Sequence, residues 1–383
     1  MGVLLQPVDT FFFRNHRALN AGEDSAASGF FPPLPGTLYG ALRSAYIHAH
    51  GGFERFYKKD DPHLMRWMGT PDKVGDFAIK GFYLYFKEPI LPLPMDYQVV
   101  SRRGAEHPSF EQALPLQLRP EADGYTSNPS RFHLYGASKE KSASAAGAYV
   151  DFAHWKRAML SHEEVPVHRS SQWLQSEYRI GIARDPETHR TISELFYQME
   201  MLRFAEAYDR EGQAGLGVIF RKAPDFTEIE LARLGGENRP WVVSGADEPL
   251  LYTKEDENRL MERISRDGII RVVLLTPAVW GKGRRPAAWD ETTRLLKLDG
   301  RLQVEVIAAT VGRPLLIGGW DMAKGRPKQR RYAVPAGSVL YLKVEPGQIE
   351  LVIERIHGQP LTDELAHEGY GWAVCGAYSG SLA

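Results

Sequence analysis

The first 43 residues carry the pattern that most restricts what this chain can fold into. An apolar run over residues 3–13 predicts a strand, and it ends in the basic residues Arg14, His16 and Arg17. A loop rich in Gly, Ser and Pro follows, and its last prolines, at 32, 33 and 35, hold the backbone extended. The basic cluster therefore lies where a strand leads into a constrained loop.

A helix is predicted directly after the prolines, over residues 37–50. Thr37 is a natural N-cap, and apolar residues follow it at helical spacing. Arg14 and Arg17 are then expected at the mouth of a strand-loop-helix unit, where a phosphate can rest against the helix N-terminus. A buried strand that leaves the core through a solvated charged turn explains the same residues equally well.

The same stretch resembles the N-terminal signature of the CRISPR-associated RAMP proteins, in particular the third subunit of the Cmr (type III-B) effector complex. That signature runs D-x-x-F-F-R, then a loop, then F-P-P-x-P-x-T-x-Y-G-A-L-R. Residues 9–14 and 31–43 of this chain fit it closely, and the second segment ends at Arg43.

Length and composition set broad limits. The 383 residues suit two domains, and the single cysteine, Cys375, excludes a disulfide framework and a cysteine-rich zinc site. The formal net charge is −1, so any RNA-binding surface must be local and offset by acidic surface elsewhere. Without a basic leader or a long apolar stretch, the chain is expected to be soluble and cytoplasmic.

The order of elements suggests a weak internal repeat of a β-α-β-β-α-β plan. In the first half, strands are predicted at 77–87, 178–183, 195–204 and 216–220, and a second helix at 225–234. In the second half, strands are predicted at 269–280, 303–311 and 338–344, a short helix at 286–296 and a helical turn at 362–367. Each half ends in a glycine turn and a short apolar strand.

Together with the resemblance, this pattern predicts an α+β protein with two ferredoxin-like (RRM-like) domains. The first covers residues 1–246 and the second residues 247–383. The region from about 101 to 176 fits neither half, and it is interpreted as a long insertion with a helix near 150–160, partly mobile until a partner orders it.

A basic β-hairpin is predicted over residues 178–204. Asp185-Pro186 starts its turn, and Arg179, Arg184 and Arg190 make it cationic, beside Gly181. Such a hairpin can separate nucleotides and hold phosphates, whereas an ordinary hairpin with solvated charges is the simpler interpretation. Its partial match to the family pattern G-I-x-x-D-x-x-T-x-x-x-x-x-L-Y implies the thumb that bends the guide RNA.

A second basic region lies between residues 313 and 331, where six basic residues accompany one acidic residue. The expected RNA contacts are Gly318, Gly319, Lys324, Arg326, Lys328 and Arg330, because glycines allow close backbone approach and cations bind phosphates. Trp320 or Tyr332 can stack on a base, but a core position is expected for both. The segments G-G-W-D and P-A-G-S-V also resemble the family, while a solvated charged loop remains the alternative.

Two glycine turns, Gly235-Gly236 followed by Arg239, and Gly369-Tyr370-Gly371, resemble the glycine-rich loops of RAMP proteins. Each is expected to present backbone N–H groups to an anion. Tight helix-to-strand turns also commonly need glycine, which is the alternative explanation.

Catalysis finds little support in the residue pattern. Neither metal-ligand spacing nor a phosphate-binding loop is present in the sequence, and no cofactor or metal is expected. His16 is the best candidate for acid–base chemistry, as in related RAMP nucleases.

The resemblance implies a non-catalytic subunit that holds the 5′ tag of the guide RNA. It also implies that the chain seats the large polymerase-like Cmr subunit beside the first backbone RAMP subunit. Three alternatives remain open: a histidine-dependent endoribonuclease that processes guide precursors, a structural adaptor that touches no RNA, and the homologous subunit of a sister type III complex.

Overall fold

The computed structural model describes residues 1–14, 26–27, 29–102, 110–120, 131–185, 187–188, 190–209 and 214–380. His16 and Arg17 lie outside the described residues, as do parts of the predicted insertion. Within the described ranges, no helix is long and apolar enough to cross a membrane.

The elements form a mixed α/β structure with several antiparallel sheets. The helices are α1 (Pro35–Ala49), α2 (Gly52–Lys58), α3 (Pro62–Met68), α4 (Phe152–Leu160), α5 (Glu206–Asp209), α6 (Lys254–Asp267) and α7 (Ile349–Ile356). The strands up to residue 169 are β1 (Gly2–Pro7), β2 (Ala26–Ala27), β3 (Ala78–Phe86), β4 (Glu88–Pro92), β5 (Tyr97–Arg102), β6 (Phe110–Pro115), β7 (Gln117–Pro120), β8 (Phe132–Tyr135), β9 (Ser142–Ala143), β10 (Ala148–Asp151), β11 (Val165–Pro166) and β12 (His168–Arg169). The later strands are β13 (Leu174–Arg184), β14 (Thr191–Phe204), β15 (Ala214–Lys222), β16 (Leu231–Arg233), β17 (Pro240–Ala246), β18 (Ile269–Leu274), β19 (Leu295–Lys297), β20 (Gln303–Thr310), β21 (Leu315–Ile317), β22 (Trp320–Asp321), β23 (Arg326–Pro327), β24 (Arg331–Ala333), β25 (Val339–Lys343) and β26 (Ala373–Ala377).

Two sheets organise the molecule. The first has eight strands in the order β12-β10-β4-β3-β15-β1-β17-β16, and the second has five in the order β19-β20-β25-β18-β26. The run β3-β15-β1-β17 and the run β20-β25-β18-β26 share one arrangement. In each run the first strand along the chain lies between the third and the fourth, and the second strand lies outside the third.

The predicted helix at 37–50 is present, but it begins at Pro35. Leu34 is its N-cap residue and provides no side-chain cap, so the prediction that Thr37 caps the helix is wrong. Proline is tolerated in the first helical turn because the N–H that it lacks has no partner inside the helix there. The prolines therefore start the helix as well as holding the approach.

Three helix predictions are wrong, and at two of the three sites local side-chain hydrogen bonds favour turns. At 225–234, the Asp225 carboxylate accepts the N–H of Thr227, and the segment ends in strand β16. At 286–296, the Asp290 carboxylate accepts the N–H groups of Thr292 and Thr293, ahead of strand β19. Residues 362–367 form turns and isolated bridges.

Helices α6 and α7 were missed by the sequence reasoning. Thr253 and Asp256 form a reciprocal capping box at the start of α6, and Gly268 ends this helix in a left-handed conformation. These residues were signals that the sequence already carried.

The predicted insertion is built into both halves. Strand β10 pairs with β4 and extends the first sheet, while β5, β6, β9 and β11 form a four-stranded sheet of their own. The predicted helix near 150–160 is present as α4, which contacts strand β26 and helix α6. One apolar cluster accordingly contains Val99 and Trp155 together with Val272 and Val374, so residues on both sides of position 246 share a core.

A buried ion pair joins the segment between β4 and β5, which precedes the insertion, to the second half. The Arg271 guanidinium donates to both Asp96 carboxylate oxygens, at 2.7 and 2.9 Å, and both side chains are 0% exposed. Arg271 also donates to the carbonyls of Ala158 and Ala377, and the Tyr341 hydroxyl donates to Asp96 at 2.7 Å. Burial raises the pKa of Asp96, but the Arg271 charge, the His162 ring and the hydrogen bonds from Arg271 and Tyr341 together outweigh burial and hold that pKa below its usual value.

Candidate nucleic-acid interface

The predicted basic hairpin is present as β13 and β14, an antiparallel pair that runs from Leu174↔Phe204 to Arg184↔Thr191. Gly181 lies opposite Tyr197. The Asp185 carboxylate accepts N–H groups from Glu187 and Thr188, which orders the turn as the sequence predicted. These backbone hydrogen bonds hold the pKa of Asp185 below its usual value.

Exposed side chains follow this hairpin to its tip. Arg184 and Arg190 are exposed there, and neither forms an ion pair with a residue whose side chain the structure describes. Tyr178, Ile180 and Ile182 alternate along β13 and are 61, 74 and 47% exposed, so one face of the strand is apolar. The hairpin thus has two cations at its turn and an uncovered apolar face behind them.

Arg179 points into a set of polar residues that we name the arginine cluster: Asp9, Thr10, Glu177, Arg179, Glu237 and Arg239. Arg179 donates to the Thr10 hydroxyl at 2.9 Å and to Glu177 at 3.0 Å. Arg239 donates to Asp9 at 3.3 Å and to Glu237 at 3.1 Å. Asp9 also lies 3.7 Å from Arg179, so its carboxylate bridges the two arginines.

The arginine cluster brings together the end of the first strand, the hairpin and the first glycine turn. Within this cluster, two guanidinium groups face three carboxylates. Asp9, Glu177 and Glu237 were not identified as site residues from the sequence. Arg14 is exposed and has no ion pair with a described residue. Its backbone forms an isolated antiparallel β-bridge with that of Gly29.

The first glycine turn packs tightly against the chain segment that follows β1. Gly235 has a φ of +86°, and a Cβ there would lie 2.5 Å from the carbonyl oxygen of Phe12. Gly236 donates its N–H to that same oxygen at 2.7 Å. Glycine is therefore required here by close backbone approach, and the Gly236 N–H is not available to an anion as predicted.

The second glycine turn is buried. Gly369 has a φ of +86°, and a Cβ there would lie 2.7 Å from Ile79. Gly371 donates to the carbonyl of Pro277 at 2.8 Å, and Gly369 donates to that of Ala366 at 3.3 Å. The prediction that these N–H groups face an anion is wrong, because the chain's own carbonyls accept them.

The second basic region forms a β-ribbon that we name the flap, residues 315–333. Strand β21 pairs with β24, and β22 pairs with β23 beyond it. Ile317 and Ala333 are buried in a small apolar cluster with Leu34, Val279 and Tyr370. We call the face of the ribbon that carries these two residues its inner face, and the opposite face its outer face. Gly319 adopts a φ of +130° where the ribbon changes direction, and Gly318 precedes it.

The outer side of the flap carries aromatic residues. Trp320 is 55% exposed and Tyr332 is 65% exposed, so the prediction that they lie in the core is wrong. Tyr332 lies directly opposite Leu316, which is 38% exposed, and the two side chains share the outer face.

Four contacts hold the flap to the rest of the molecule. At its tip, the Tyr57 hydroxyl donates to the carbonyls of Met322 and Ala323, at 3.3 and 3.2 Å, and Lys324 lies 3.8 Å from Asp72. Near its base, Lys328 pairs with Glu368 at 2.9 Å. Arg331 pairs with Glu364 at 2.7 Å.

The predicted flap cations therefore differ in state. Arg326 and Arg330 are exposed and have no ion-pair partner among the described residues, whereas Lys324 and Lys328 have one.

Arg43, in helix α1, has a structural role, because its Nε donates to the Met68 carbonyl at 2.8 Å and its guanidinium lies 5.1 Å from the Phe56 ring centroid. Burial lowers the pKa of Arg43.

No cluster of potential metal ligands occurs among the residues that the structure describes.

Comparison with known proteins identifies a family. A family model described as CRISPR-associated protein (Cas_Cmr3) matches residues 3–378. Two solved chains resemble this one in fold, each at 16% sequence identity. In both comparisons the match covers 93% of this chain and 90% of the solved chain. One is from a type III-B Cmr-β complex bound to cognate target RNA and AMPPnP, in state 1, with a TM-score of 0.45. The other is from that complex bound to cognate target RNA, with a TM-score of 0.43. No curated protein matches the chain.

Proposed function

Because the chain belongs to the Cas_Cmr3 family of CRISPR-associated proteins, we propose that it is an RNA-binding subunit of a type III-B Cmr complex. In this proposal it holds the 5′ tag of the guide RNA and bridges the large polymerase-like subunit to the backbone RAMP subunit. The assembled complex is cytoplasmic.

One observation carries the assignment to RNA binding. The arginine cluster places Arg179 of the hairpin and Arg239 of the glycine turn around Asp9, at the end of the first strand. Arg14 follows on the same segment, and the hairpin tip adds two exposed arginines. Cations from two separate chain segments, Arg179 and Arg239, thus lie on either side of Asp9, and Arg14 follows five residues later on the segment that carries Asp9, which suits contacts along a phosphate backbone.

We also propose that each half is a ferredoxin-like domain, with the boundary near residue 246. The strand order shared by the two sheets supports this interpretation. The full plan places one helix after the first sheet strand and another before the fourth. The first half has helices at the first of these positions, where α1, α2 and α3 lie between β1 and β3, and the second half has α7 at the second position, between β25 and β26.

Tag binding is tested with the double variant Arg14→Ala, Arg179→Ala in the full-length chain. Affinity for tag-bearing guide RNA should fall about tenfold or more, since each lost phosphate contact is worth roughly 1–1.5 kcal/mol. Affinity for RNA of equal length without the tag should fall much less. A matched control replaces Arg259 and Arg301, two exposed arginines of the second half. Equal losses for both RNAs would show that the region merely attracts polyanions.

The subunit is proposed to be non-catalytic. Incubated with guide precursor or target RNA, with or without divalent metal, the isolated protein should leave both RNAs intact. Cleavage that is reproducible and that disappears in His16→Ala would replace this proposal with the endoribonuclease alternative.

A further inference from the structure

The outer side of the flap combines exposed aromatic rings with unpaired charge. Tyr332 and Trp320 are more than half exposed, and Leu316 extends the apolar area beside Tyr332. Large apolar side chains exposed together commonly mark a binding surface. A ligand that covers rings of this kind removes them from water and gains stacking energy.

The charges around these rings favour an anionic ligand. Arg326 lies in the strand paired with Trp320–Asp321, and Arg330 precedes Tyr332 by two residues. Neither has a carboxylate partner among the described residues, whereas the nearby acids are occupied. Asp321 accepts the N–H groups of Ala323 and Lys324, while Glu364 and Glu368 pair with Arg331 and Lys328.

The flap is also held in place before any ligand binds. Its tip rests on Tyr57 and its base is tied by two ion pairs, while its inner face is buried. A ligand therefore does not have to order the ribbon, which reduces the entropic cost of binding.

We infer that the outer side of the flap is a stacking platform for unpaired bases of single-stranded RNA. Trp320 and Tyr332 stack on bases, and Arg326 and Arg330 contact the adjoining phosphates. The inference rests on the proposed RNA-binding function and specifies a second contact region with its own ligand class. Planar rings beside unpaired guanidinium groups favour unpaired nucleotides over a duplex, whose bases are already stacked. An acidic protein surface is the competing occupant.

Tryptophan fluorescence gives a direct test with the full-length chain. All eight tryptophans lie in the described part of the chain, and only Trp320 is exposed; Trp67 is half-buried and the other six are buried. Titration with an oligoadenylate decamer should quench the fluorescence. The same decamer annealed to its complement should bind more weakly and quench less.

Substitutions separate stacking from general apolar contact. Trp320→Ala with Tyr332→Leu should weaken decamer binding by roughly 5- to 150-fold for each stacked base that is lost, measured by anisotropy of labelled RNA. Tyr332→Phe keeps the ring and should bind like the unmodified chain. Tyr135→Leu is the matched control, because Tyr135 is also exposed and lies near an arginine, Arg119, 5.3 Å from its ring centroid.

Three outcomes would overturn the inference: an unchanged decamer affinity in the Trp320/Tyr332 variant, equal binding of single strand and duplex, or loss of subunit assembly with RNA affinity intact. The last outcome would assign the flap to a protein partner. A different result would count against the proposed tag recognition and leave the flap inference standing. In that result the Arg14/Arg179 variant loses affinity equally for RNA with and without the tag, while the flap substitutions still weaken decamer binding.

Discussion

The arginine cluster and the flap contain similar cations in opposite states. In the cluster, Arg179 and Arg239 share three carboxylates, and Arg239 is only 18% exposed. In the flap, Arg326 and Arg330 are exposed and lack ion-pair partners among the described residues. A count of basic residues therefore overstates the positive surface of the cluster and is closer to correct for the flap.

Under the proposed RNA-binding function, this difference predicts separate roles for the two regions. RNA that reaches the cluster must exchange carboxylates for phosphates, so the net electrostatic gain there is small and geometry decides which RNA binds. The flap can release counterions without such an exchange, and it should supply more of the salt-dependent affinity. Arg271 represents a third state, because it is fully buried and paired with Asp96. Among the three states, an ion pair of this kind is expected to affect the free energy of unfolding most.

The largest effect is expected for this buried arginine, in the variant Arg271→Met. The substitution leaves the Asp96 carboxylate buried without its cation, which costs about 3–5 kcal/mol of unfolding free energy. Urea unfolding of the variant and the unmodified chain measures the difference.

A double-mutant cycle provides the control for Arg271. Adding Asp96→Leu to Arg271→Met should recover part of the lost stability, because the uncompensated charge is removed. A loss below about 1 kcal/mol in the single variant would show that the pair is not a strong link between the segment that precedes the insertion and the second half.

The second effect concerns salt dependence. Arg326→Ala with Arg330→Ala should reduce the slope of log affinity against log salt by about 1.4 for single-stranded RNA, or roughly 25-fold in affinity at about 0.1 M salt. Lys328 is left unchanged because Glu368 already pairs with it. Arg179→Ala with Arg239→Ala should change the slope by less than half as much. Equal changes in the two double variants would contradict the distinction between the regions.

The smallest effect has the opposite sign. Asp9→Asn removes the carboxylate that bridges Arg179 and Arg239, so RNA affinity at low salt should rise about two- to fivefold. The gain should disappear at high salt, where exposed charges are screened. Asp60→Asn is the matched control, since Asp60 is 57% exposed against 56% for Asp9 and also pairs with an arginine. A lower affinity for Asp9→Asn would indicate that Asp9 orients the arginines for RNA.

Elements with strong local signals were predictable from the sequence. The hairpin β13–β14 has a turn residue between two apolar runs, and α1 and α4 follow continuous periodic patterns. The helix predicted at 225–234 failed although its apolar spacing was similar, because the Asp225 side chain bonds to a neighbouring N–H and the chain then joins the sheet edge. Periodicity alone does not distinguish these outcomes.

The candidate site was predictable only as a set of residue types. Gly235 and Gly369 were predicted to contact RNA, whereas the structure shows that each allows close packing against another chain segment. Trp320 and Tyr332 were assigned to the core because aromatic residues are usually buried, and the sequence offered no sign that the flap has an outer face.

By itself, the sequence determined the family, the positions of α1, α4 and the hairpin β13–β14, and the inventory of candidate cations, since all of these depend on residues close together in the chain. Only the tertiary structure decided which cations are already neutralised. The deciding partners are far apart in sequence: Arg179 bonds to Thr10 across 169 positions and Arg271 to Asp96 across 175. Tyr57 reaches the flap across 265 positions. Charge pairing and burial depend on distances in space, which local sequence patterns do not contain.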